Sequence, residues 1–203
     1  LIRAITLWTI SRFTKYIMID NTNSNNEEIF TSYLSNTLKR FLDSDPIVEE
    51  AALNSFSTMI SNKKERIEIY LQDVFNVIAT AFTKYESSPL VTLIDIVSYM
   101  CDEYTESFKN PLLIKNLIDS ILQKWNSLNN DDYKNISPIF DLLCSIIRAS
   151  GTLLKDFAKK FLVKSLSIFQ SLLSSYKVFL FINSHTIMIW PFSTKKLFPK
   201  VLI

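Results

Sequence analysis

The sequence predicts an all-α protein assembled from stacked helical hairpins. Three observations predict it: a near absence of glycine, apolar residues at helical spacing, and prolines that recur at similar intervals. Only one glycine, Gly151, and six prolines occur in 203 residues, whereas a sheet protein of this length needs many turn glycines. With 48% hydrophobic residues the chain can bury a sizeable core and lacks the composition of a disordered one.

Apolar residues at i, i+3, i+4 and i+7 predict amphipathic helices over roughly 2–17, 27–42, 46–61, 64–85, 89–107, 111–128, 136–149 and 153–173. The first opens with LIRAITLWTISRF, in which Ile5, Trp8 and Arg12 project from one helical face. By spacing alone that face is either displayed to a partner or a core Trp beside a snorkelling Arg. The separators are short and polar. DSDP before Ile47, ESSP before Leu90 and NISP before Ile139 each place Asp or Ser ahead of Pro, a cap followed by a residue suited to the first helical turn.

Pro46, Pro89 and Pro138 recur at steps of 43 and 49 residues, with room for one other helix between each pair. That is the period of HEAT-type hairpins, about 40–47 residues per two-helix unit. In DPIVEEAALNSF, Val48, Ala51, Ala52 and Phe56 form a stripe whose small residues let neighbouring helices approach closely. The expected architecture is therefore a HEAT-repeat, right-handed superhelical solenoid, with a closed four-helix bundle as the alternative. About four hairpins, the first incomplete, fit residues 1–173. Residues 174–203 lose the 3.6 period and all acids, and read either as a divergent terminal extension or as a stretch that does not continue the reading frame. The first residue is Leu rather than Met, so the chain reads as a piece of a longer polypeptide.

All 20 acidic residues lie at or before Asp156, and the last seven basic residues follow it. The body is thus mildly acidic, suited to a basic partner rather than to nucleic acid. No glycine-rich phosphate loop is possible with one glycine, and the sole histidine, His185, falls in the irregular tail, so hydroxyl or thiol nucleophiles lack a base. Carboxylate pairs such as Glu49–Glu50 and Asp131–Asp132 sit in turns or first helical turns, where acids complement the helix dipole. No catalysis and no cofactor are expected. Cys101 and Cys144 lie in apolar helical patterns without metal-ligand spacing, and read as buried reduced thiols. The tail is too polar to insert in a membrane, because Asn183, Ser184 and His185 interrupt its apolar run.

The ordered series ITLWTISRF, LSNTLKRFLDSDPIVEEAALNSFSTM, VFNVIATAFTKYESSPLVTLIDIVSYMCDE and LIDSILQKWNSLNNDD resembles the central HEAT repeats of the transportin-type karyopherin-β (importin-β) nuclear import receptors. Single HEAT helices are weakly specific, but WT-x-SR, LKR-x-LDS, V-x-EAA, AF-x-KY and QKWN in unbroken order are strongly so. The resemblance implies a receptor, shuttling between cytoplasm and nucleus, for cargo proteins bearing proline-tyrosine nuclear localisation signals. Such cargo lies extended along the concave surface made by the second helices and is released by Ran-GTP. Ran-GTP and FG nucleoporins would act through the full-length receptor. By position, Ile5, Trp8 and Arg12 match residues that contact the Pro-Tyr end of the signal, and Asp95 and Asp102 match acids that meet its basic part. Asp95 and Asp102 are seven residues apart, two helical turns, and so share a face. One departure stands out: where the family carries a run of acids, this chain reads STMISNKKE, with Ser61 and Asn62 in place of carboxylates. A HEAT scaffold or adaptor subunit of another complex is the rival reading.

Overall fold

The computed structural model of the protein describes residues 1–17, 24–62, 64–129 and 132–174. Its helices are α1 (Ile2–Arg12), α2 (Thr14–Ile17), α3 (Ser24–Arg40), α4 (Pro46–Asn62), α5 (Lys64–Glu68), α6 (Leu71–Lys84), α7 (Ser87–Glu103), α8 (Thr105–Phe108), α9 (Pro111–Ser127), α10 (Tyr133–Ser150) and α11 (Lys155–Ser174), with a 3-10 turn over Gly151–Leu154. All regular structure among the described residues is helical. The chain divides into two compact units, Leu1–Leu162 and Val163–Ile203.

The first unit is a two-layer array of antiparallel hairpins, α3/α4, α6/α7 and α9/α10. Helix α3 packs on α6 and α6 on α9 to make one layer; α1 packs on α4, α4 on α7 and α7 on α10 to make the other. Among the described residues the main contacts of each hairpin are with its neighbours, which is the arrangement of a HEAT array and not of a closed bundle. Helix α1 lies in the second layer beside α4.

The apolar spacing explains the packing. In α6, Leu71, Val74, Phe75, Ile78 and Phe82 are buried, and in α9 Ile114, Leu117, Ile118, Ile121 and Trp125 are. Each set forms a stripe at three- and four-residue steps that faces the neighbouring helix. Aromatic edges lock successive layers: Phe41 meets Phe56 at 5.6 Å between ring centroids, Phe75 meets Phe108 at 5.3 Å, and Trp125 meets Phe161 at 5.5 Å. Burying one such side chain contributes about 1.5–3 kcal/mol. Cys101 and Cys144 are unpaired, and burial pushes both thiols up, Cys144 to about 11.

The proline punctuation holds in register but not in position. Pro46 is the first residue of α4, where Asp45 Oδ1 accepts a hydrogen bond from the Ile47 N–H at 3.0 Å. Pro89 is instead the third residue of α7, behind Ser87 and Ser88, and the N-cap Glu86 makes no side-chain cap. Pro138 lies inside α10. A full turn precedes it, held by Asn135 Nδ2 donating to Asp132 Oδ2 at 2.9 Å and by the Ile136 N–H bonded to the Asp132 carbonyl at 2.9 Å. At the sixth position of the helix this proline lacks the N–H that would bond the Lys134 carbonyl, and its ring crowds that carbonyl. The sequence thus marks the second helix of every hairpin correctly, while NISP is not the start of one. A further proline, Pro111, opens the first-layer helix α9 behind Asn110, whose side chain accepts from the Leu112 N–H.

Three expected helices are also broken. The span 2–17 divides at Phe13, 64–85 divides at Ile69–Tyr70, and 89–107 divides at Tyr104. At the third break Tyr104 and Phe108 are both buried in the core, whereas Phe13 and Ile69 at the other two are exposed. Gly151 has φ +62° and caps α10, so the chain's lone glycine stands where an L side chain is strained. In the second unit the described residues are the C-terminal half of α11, which exposes Val163, Leu166 and Phe169 and buries Ser165 and Ile168. The expected irregular tail lies outside the described residues from 175 onward.

Candidate functional site

Helix α1 is two-faced in an unusual way. Ala4 and Leu7 are its buried residues, and it packs on α4. A groove of about 650 Å³ runs between α1 and α3, lined by Ile2, Thr6, Ile10 and Ile29. At about 100° per residue, Ile5, Trp8 and Arg12 fall on the side of α1 away from that groove, and so away from the first layer. Trp8 is 57% exposed and Ile5 52%. The Arg12 guanidinium stacks over the indole at 4.8 Å from the ring centroid, within cation–π range. The three form one exposed aromatic, aliphatic and cationic patch. Trp8 is thus an exposed side chain and not a core one.

On α7, Leu93, Val97 and Met100 are fully buried, while Asp95, Tyr99 and Asp102 line the opposite, exposed face. Partial burial by neighbouring side chains holds the Asp95 carboxyl above the usual aspartate range. The two carboxylates lie two turns apart on a rigid helix, a spacing that suits an extended basic segment. Tyr99 stands four residues after Asp95 and three before Asp102, 38% exposed. Its i+4 and i−3 relation to the two acids is legible in the sequence.

Helix α4 lies between α1 and α7 and presents Ile47, Glu50, Asn54 and Ser61 outward. Ser61 and Asn62 satisfy their own helix: Ser61 Oγ donates to the Ser57 carbonyl at 2.8 Å and Asn62 Nδ2 to the Thr58 carbonyl at 2.7 Å. The middle of this face is therefore nearly uncharged. The structure brings Ile5, Trp8 and Arg12 together, and Asp95 with Asp102, as two groups on the same helical layer separated by α4.

One cluster joins residues that no local spacing in the sequence links. The Asp43 carboxylate, in the α3–α4 turn, accepts from Arg3 Nη2 of α1 at 2.9 Å, from Arg40 Nη1 of α3 at 3.0 Å and from the Asp45 N–H at 3.2 Å. Burial alone raises its pKa, but the Asp45 N–H and the two guanidiniums outweigh burial and hold it below the ordinary value. Lys84, at the end of α6, donates to the Asp43 carbonyl and pairs with Glu49. Among the described residues no group of His, Cys, Asp and Glu could hold a metal, and no helix is long and apolar enough to cross a membrane.

No family model matches the chain. Transportin-1 of Mus musculus is 30% identical over 149 residues, 73% of this chain and 16% of the relative. The chain belongs to the transportin-type karyopherins. Transportin-1 of Oryza sativa subsp. japonica is 29% identical over 171 residues, 84% of this chain and 19% of the relative. Importin subunit beta-2 of Schizosaccharomyces pombe is 27% identical over 173 residues, covering 85% and 19%. This transportin-family chain therefore spans less than a fifth of the length of the curated relatives it matches, and its helical array corresponds to repeats within them.

Proposed function

We propose that the protein acts in nuclear import as a receptor for cargo proteins, binding proline-tyrosine localisation signals on the outer face of the α1/α4/α7/α10 layer. The single observation that carries this reading is the exposure of Trp8 and Arg12 as a stacked pair on α1, in a chain related to transportins and importin beta-2. An exposed Trp costs solubility and has no structural role there, whereas Trp and Arg are the side chains most enriched among interface anchors. The Pro-Tyr end of the signal seats on Ile5, Trp8 and Arg12, and its basic part meets Asp95 and Asp102. That face is the concave one of the complete superhelix, the repeats run through residue 173, and cargo is released by Ran-GTP as the receptor shuttles between cytoplasm and nucleus. The protein works by binding alone, without catalysis or cofactor.

Calorimetric titration with a Pro-Tyr signal peptide tests the reading. Saturable one-to-one binding that is lost when Pro and Tyr are both replaced by Ala supports it. No heat, in a chain folded by circular dichroism, rejects it and leaves a helical scaffold.

A further inference from the structure

We propose that Tyr99 is a specificity-determining residue that selects arginine over lysine in the basic part of the ligand, an inference that rests on reading the outer face as the cargo surface. Asp95, Tyr99 and Asp102 are all exposed on α7, and at about 100° per residue they fall within an arc of about 60°. With a rise of about 1.5 Å per residue, the two acids stand about 10 Å apart along the axis, with the ring between them. That distance is too long for one cationic group to bond both acids. A cation paired with either acid therefore lies beside the phenol ring, and the ring decides how well it fits. The neighbouring α4 face is nearly uncharged, with Ser61 and Asn62 bonded to their own helix, so the choice among basic side chains falls on α7.

The carboxylates alone discriminate weakly, because exposed ion pairs contribute little whichever cation makes them. A guanidinium is planar and weakly hydrated, so it lies flat on an aromatic face while its N–H groups still reach sideways to a carboxylate. A lysine ammonium is compact and strongly hydrated, and gains less from the ring. The molecule already uses the arrangement once. On α3, Glu27 and Phe30 stand three residues apart, and Arg66 of α5 bonds Glu27 Oε2 at 2.6 Å while its guanidinium carbon sits 4.1 Å from the Phe30 ring centroid. Tyr99 and Asp102 have the same separation along α7. Trp8 and Phe30 each carry a guanidinium of this chain, whereas among the described residues the Tyr99 ring carries no cation and is open to one from a partner.

The test is calorimetric titration of two Pro-Tyr signal peptides of equal charge, one with an all-Arg and one with an all-Lys basic part, into the wild-type chain, Tyr99→Leu and Tyr99→Phe. Tyr99 is exposed, so neither substitution empties a core site. The wild type should bind the Arg peptide about fivefold more tightly than the Lys peptide, the scale of one cation–π contact. Tyr99→Leu should weaken the Arg peptide by about that factor and leave the Lys peptide unchanged, whereas Tyr99→Phe, which keeps the ring, should keep the preference. Equal affinity of the wild type for the two peptides, a preference undiminished in Tyr99→Leu, or one lost in Tyr99→Phe overturns the proposal and leaves the cargo reading standing. Binding of neither peptide to the wild type overturns both.

Discussion

Helices α1 and α7 belong to the same layer and both present ligand-competent side chains outward, yet they are held in place by different physics. Helix α7 is clamped between α4 and α10 and buries Leu90, Leu93, Val97 and Met100 nearly completely. Its exposed acids ride on a helix that dispersion and apolar burial have already fixed. Helix α1 packs on α4, buries Ala4 and Leu7, and adds a polar tie through Arg3 to the buried Asp43 carboxylate.

The sharpest way to break that comparison is to remove core side chains from the two regions. Phe56→Ala empties a fully buried site in α4, edge-on to Phe41, and should cost about 3–5 kcal/mol, read as a fall in the urea midpoint with the slope unchanged. Leu7→Ala in α1 should cost less, about 2 kcal/mol, and its effect should stay local, loosening α1 without lowering the main transition in proportion. Equal costs would mean that α1 is as much a part of the cooperative core as α4. Gly151→Ala comes next: its new Cβ meets nothing within 4 Å, so backbone strain at φ 62° and ψ −133° is the whole cost, about 1–3 kcal/mol.

Electrostatic variants sharpen the contrast at smaller scale. Asp95→Asn with Asp102→Asn should cost a basic peptide about 1 kcal/mol at low salt and less at high salt, because both side chains are exposed and screened. Since the Asp95 pKa is raised by partial burial, affinity for a basic peptide should begin to fall while pH is still above 3.8, the ordinary aspartate value. Protonation removes the charge the peptide needs. Asp43 works in the opposite sense. Its folded pKa lies below 3.8, so its contribution to stability is complete above that value and is lost only as pH falls through the lower folded one. Between the two, a pH titration near 4 should weaken the α7 contact before the Arg3–Asp43 tie, a separation that peptide affinity and hydrogen exchange can each follow.

Much of this was legible in the sequence because it depends on period. The 3.6-residue repeat of Val74, Phe75, Ile78 and Phe82, and the recurrence of Pro46, Pro89 and Pro138, identify helices and their pairing without knowledge of contacts. The shared faces of Ile5, Trp8 and Arg12, and of Asp95 and Asp102, follow from the same geometry. What periodicity cannot carry is where a helix breaks. Tyr104 fits an uninterrupted pattern, and only the demand of the core for Phe108 turns the chain there. Nor can it carry the Asp43 cluster, because Arg3 and Asp43 are 40 residues apart and Lys84 a further 41; each alone reads as a solvated charge. NISP misled for a related reason. Proline is favoured in a first turn, but Asp132 and Asn135 stabilise one more turn ahead of it than composition suggests.

The central claim is that the outer face of α1 is a ligand anchor, and it is tested most directly by calorimetric titration of one Pro-Tyr signal peptide into the wild-type chain and into the Trp8→Ala, Arg12→Ala variant. Loss of an aromatic and a guanidinium anchor should weaken binding by about 2 kcal/mol or more, roughly thirtyfold, with helicity and the urea midpoint unchanged because neither side chain is buried. Equal affinity for the two proteins would contradict the account.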